Sequence, residues 1–77
     1  MIPQYVSDQL SEALACAERA SEIYDSLTPE LLACFKTDYG RKQGSQFYHL
    51  TDDLHTVCKR LRKAPSYMEQ CHKEMED

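Results

Sequence analysis

The sequence predicts an all-α fold: a small helical bundle forming a single domain over residues 1–77. Two segments carry apolar side chains in alternating steps of three and four, the period of a helix with one buried stripe. Between and after them stand proline, glycine and hydroxyl residues of the kind that start and stop helices. A chain of 77 residues has material for one core only.

The first helix is expected over about residues 3–26, with Pro3 in its first turn. Its seam reads Val6, Leu10, Ala13, Ala17, Ala20, Tyr24 and Leu27, and Tyr5, Cys16 and Ile23 widen it. The alanines at 13, 17 and 20 remove bulk, which lets another helix approach closely. Thr28-Pro29-Glu30 combines a capping hydroxyl, a proline suited to the first helical position and a carboxylate near the positive helix end. The second helix is therefore set at about 29–39, with Leu31, Leu32, Cys34 and Phe35 on its buried side. Gly40 reads as its terminator, and Gly40 to Gly44 as a loop.

The third helix is expected over about 45–63, with Phe47, Leu50, Leu54, Val57 and Leu61 in phase. A start at Thr51, capped by Thr51-Asp52-Asp53, is the alternative. Ala64-Pro65 ends it, because proline removes an amide donor and restricts the preceding residue. Ser66 to Glu69 has the form of a capping box, which opens a short fourth helix at about 66–76 with Met68, Cys71 and Met75 along one edge.

The core implied by these stripes is thin. Leu, Ile, Val and Phe number fourteen, under a fifth of the chain, so Tyr, Cys, Met and Ala must extend the buried faces. Helix two is less than half as long as helix one, which leaves part of helix one to be covered by a second copy or another protein. The four cysteines, 16, 34, 58 and 71, form no Cys-x-x-Cys pair. Without an export signal near Met1, a cytoplasmic location is expected, with the cysteines as buried, reduced thiols. No stretch is apolar enough to suggest a membrane span.

Net charge is −4, unevenly spread. Residues 1–35 hold six acids and one base, whereas 36–63 hold seven bases and three acids. The basic set Arg41, Lys42, Lys59, Arg60, Arg62 and Lys63 raises a nucleic-acid surface as an alternative function. Cations near a helix C-terminus are favoured by its dipole in any case, and an acidic domain is a poor match for a polyanion. His49, Asp52, Asp53 and His55 are of ligand type, but His49 and His55 lie about 120° apart on the helix, so no metal site is expected. Cys58 sits among bases but on an apolar face, which quiets a thiol as nucleophile. With no phosphate loop and no paired carboxylates, neither an enzyme nor a cofactor is expected.

What remains is protein recognition. The acidic face of helix one and the surplus of tyrosine point to a partner surface at Tyr5, Asp8, Glu12, Glu18, Glu22 and Tyr48. The expected function is a non-enzymatic interaction module, a small regulator, inhibitor or adaptor acting on a larger protein, with a homodimer as its expected form.

Overall fold

A computed structural model describes residues 2–76, apart from the side chain of Ser45. Every element of the described chain is a helix, in the order α1 (Gln4–Asp25), α2 (Thr28–Cys34), α3 (Asp38–Phe47) and α4 (Leu50–Glu76). Helices α1 and α4 run antiparallel and form the one extensive packing contact; α2 and α3 make up the connection at one end. Two cross-pairs share one register, and a third ties the segment before α1 to α4. The Arg62 guanidinium donates to Glu18 at 3.3 Å, His55 lies 3.1 Å from Asp25, and the Ile2 amide donates to Glu69 at 3.4 Å.

The seam of α1 is turned relative to the sequence reading. Val6, Leu10, Leu14, Ala17, Ser21 and Tyr24 lie in the contact, whereas Ala13, Ala20 and Leu27 are exposed. The reason is the breadth of the apolar surface. At 100° per residue the apolar positions of α1 cover about half of its circumference, and one neighbouring helix can cover only part of that arc. Leu10 and Leu14 bury more surface than the alanines, so the leucine side faces α4. The close approach occurs instead at Ser21, the buried residue of α1, which lies level with Cys58, the buried residue of α4. Along α4 the contact row is Thr51, Leu54, Cys58, Leu61, Pro65 and Met68, while Leu50 and Val57 are exposed rather than buried.

Pro65 does not end a helix. It lies inside the 27-residue α4, so the third and fourth expected helices are one, and Ser66 to Glu69 caps nothing. Proline costs a backbone bond to Leu61 and crowds that carbonyl. The two flanking segments nevertheless share one apolar row, and both pack on α1, which holds them collinear; Glu69 meets the Ile2 amide instead of capping. The start of α4 at Leu50 is nearer to the Thr51 alternative than to residue 45.

The expected 40–44 loop is also helical. Thr37 caps α3, its hydroxyl accepting from the Gly40 amide at 2.9 Å, and neither glycine has a positive φ. Gly40 and Gly44 lie one turn apart on the buried side of α3. A Cβ at Gly40 would run into the Cys34 carbonyl, and one at Gly44 would stand 2.5 Å from the Phe35 ring. These glycines serve close packing, not reversal of the chain. Helix α2 is shorter than expected and ends at Cys34; Thr28 is its first residue, and the hydroxyl donates back to the Asp25 carbonyl at 2.7 Å rather than capping. Phe35 stacks against Phe47 and Tyr48, with ring centroids 5.5 and 4.8 Å away, and the Tyr24 hydroxyl donates to the Phe47 carbonyl, which ties this connection to the end of α1.

The molecule measures 57 × 20 × 12 Å. Among the described residues no third helix packs extensively on α1 or α4. The chain is thus a layer, two long helices wide and one helix thick.

Candidate interaction surface

A layer of two antiparallel helices has two broad faces, and the sequence makes them unlike. On one face, Glu18, Glu22 and Asp25 of α1 stand beside His55, Lys59 and Arg62 of α4, forming a shallow groove with Ser21 and Cys58 in its lining. The groove continues toward the chain ends past Gln4, Ser7, Ser66, Glu69 and Lys73. Its interhelical polar pairs, the Glu18–Arg62 salt bridge and the Asp25–His55 contact, are about half exposed. Pairs of this kind contribute about 0–1 kcal/mol each, so they set register more than stability.

The other face is apolar. The exposed α1 positions Ala13, Cys16, Ala20 and Ile23 follow one another in steps of three and four, and so share a side, with exposed Leu27 in the turn just beyond. Leu50, Val57, Cys71 and Met75 share one side of α4, with half-buried Ala64 and Met68 between them, at steps of seven in its first half and of three and four in its second. Helical geometry puts both rows on the side opposite the ion pairs. The exposed fractions are large: 50% for Ile23, 42% for Leu27, 44% for Val57 and 77% for Met75. Within this strip, Asp53 is the one ionisable side chain other than the thiols, and Gln9 adds an amide at its edge. Apolar surface left in water on this scale costs free energy.

The proposed partner residues do not form one patch. Tyr5, Asp8 and Glu12 are exposed along the outer flank of the first half of α1, and Asp8 accepts from the Gln4 side chain at 2.9 Å. Glu18 and Glu22 belong to the polar groove, paired with Arg62 and Arg19 respectively. Tyr48 is at the far end, in the turn between α3 and α4, exposed but edge-on to Phe35 and His49. The sequence implies that part of helix one stays uncovered; what it misses is which side, and the matching row on α4. Cys16 and Ile23 read as a widening of one seam until α4 is seen to cover only the other side.

The basic residues are scattered. Arg41 and Lys42 lie in α3, not in a loop, and Arg41 pairs with Asp38. Lys59, Arg60, Arg62 and Lys63 fan over about 160° of α4, and Arg62 is taken by Glu18. Among the described residues no group of three or more His, Cys, Asp or Glu side chains can hold a metal ion. All four cysteines are free thiols, and only Cys58 is buried, which corrects the expectation for Cys16, Cys34 and Cys71. No helix among the described residues is long and apolar enough to cross a membrane.

Comparison with protein-family models, with curated proteins and with solved structures gave no match.

Proposed function

We propose that this chain is a non-enzymatic protein-interaction module, a small regulator, inhibitor or adaptor that acts on a larger protein partner. One observation carries the reading: a layer one helix thick leaves the whole apolar side of α1 and α4 uncovered. Domains ordinarily consist of two or more packed layers, because each helix has an apolar stripe to bury against another element. Tyr5, Asp8 and Glu12 border the strip along α1 and supply an aromatic and acidic rim of the kind that steers a basic partner.

The test is native mass spectrometry of the chain isolated from its own cells. A second protein in fixed stoichiometry is expected, and the combined Tyr5→Ala, Asp8→Lys and Glu12→Lys variant should release it. Recovery of the chain with no other protein, or a partner retained at full strength by that variant, would overturn the reading.

A further inference from the structure

We infer that the apolar face is covered by a second copy of this chain, packed face to face so that α1 of each copy lies on α4 of the other in an antiparallel four-helix bundle. The inference rests on the same uncovered strip as the interaction-module reading and names its occupant. The surface area supports it. A compact monomer of 8.9 kDa exposes roughly 4,800 Å², and this chain exposes 6068 Å². The excess, about 1,250 Å² per chain, is larger than the roughly 800 Å² that each partner hides in an interface of standard size. Two stacked layers supply what one lacks, a shared interior between apolar faces.

The register selects the symmetry. Glu18 is level with Arg62, and Asp25 with His55. Counting from these pairs, Ile23 is level with Val57, Cys16 with Ala64, and Leu27 with Asp53. A two-fold axis parallel to the helices keeps every level, so Ile23 meets the partner's Val57 and Cys16 meets the partner's Ala64. Apart from Leu27, which meets the partner's Asp53 at the end of the strip, apolar residues then meet apolar residues, and small Ala20 and Ala64 permit close approach. An axis across the helices at Ala20 instead brings Val57 level with the partner's residue 63 and Leu50 level with its residue 70, positions outside the strip, so these apolar side chains lose their apolar counterparts. The parallel axis gives an isologous pair, closed at two copies, with every neighbouring helix antiparallel.

The test uses sedimentation velocity on the full chain over a concentration series, with helicity followed by circular dichroism. The wild type should sediment as a dimer. Ile23→Lys and Val57→Glu should each weaken association at least about tenfold, while Lys73→Glu, on the polar face, should not. Mixing the Ile23→Lys and Val57→Glu chains should restore a one-to-one dimer, because one contact then sets the new ammonium against the new carboxylate and the other keeps the native pair. If either variant loses helix alone, regain of helix on mixing is the expected result. A wild type that stays monomeric at its highest soluble concentration, a dimer that survives both substitutions, or a mixture that regains nothing overturns the inference. A monomeric chain that still binds another protein leaves the interaction-module reading standing. A dimer with no other partner removes that reading and keeps this one.

Discussion

Gly44 lies under the Phe35 ring, and Gly40 against the Cys34 carbonyl, inside a helix that glycine disfavours. In a solvent-exposed helix, Gly→Ala stabilises by about 0.5–1 kcal/mol. Here the sign reverses, because the added methyl must displace an aromatic ring packed in the connection. Gly44→Ala should cost about 1–3 kcal/mol, as overpacking does, read as a lower melting midpoint with loss of aromatic near-ultraviolet signal. A stabilised Gly44→Ala would show that the α2–α3 contact is loose. No sequence rule separates such glycines from loop glycines, since both look like punctuation until the helix they face is known. Thr37, three residues before Gly40, was the available sign of a helix start.

Helix α4 shows where element-level reasoning runs short. Proline inside a helix costs about 3 kcal/mol relative to alanine, which made a break at Ala64-Pro65 the natural reading. That cost is local, whereas the row Leu54, Cys58, Leu61, Pro65 and Met68 faces α1 on both sides of it. Packing of the joined helix outweighs the lost bond. Pro65→Ala is expected to raise stability by about 1–3 kcal/mol, less whatever the pyrrolidine ring contributes in the contact, with no change in helix content. A gain of helix on that substitution would instead indicate two helices in solution. The helical class and the two long periodic segments were legible in the sequence. The choice of seam in α1 was not: Ala13 and Leu14 are adjacent candidates, and the decision belongs to α4, distant in sequence and carrying its own row.

At the scale of the whole molecule the division into a polar and an apolar face makes the thiols informative reporters. Cys34 is exposed in the connection, Cys58 is buried between α1 and α4, and Cys16 and Cys71 belong to the apolar strip. Under native conditions Cys34 should react fast with a thiol reagent and Cys58 only on unfolding. If two copies associate through the strip, Cys16 and Cys71 should slow as concentration rises; equal fast labelling of Cys16, Cys34 and Cys71 at all concentrations would place the strip in water. The partner set Tyr5, Asp8, Glu12, Glu18, Glu22 and Tyr48 was assembled from residue type along the sequence, and the fold scatters it over a flank, a groove and a turn. Residue type gives chemistry but not sidedness, which here depends on the register that Glu18 and Arg62 share.

The 12 Å thickness also bears on hydrogen exchange. In a lone layer every backbone amide is a side chain's length from water, so protection would be shallow and would rise and fall with the helical period along α1 and α4, without a slow-exchanging block. A set of amides on Ala13, Ala20 and Val57 that exchange as slowly as those on Ser21 and Cys58 could not arise from depth within one chain. Such a set would trace the outline of whatever molecule lies on the apolar side.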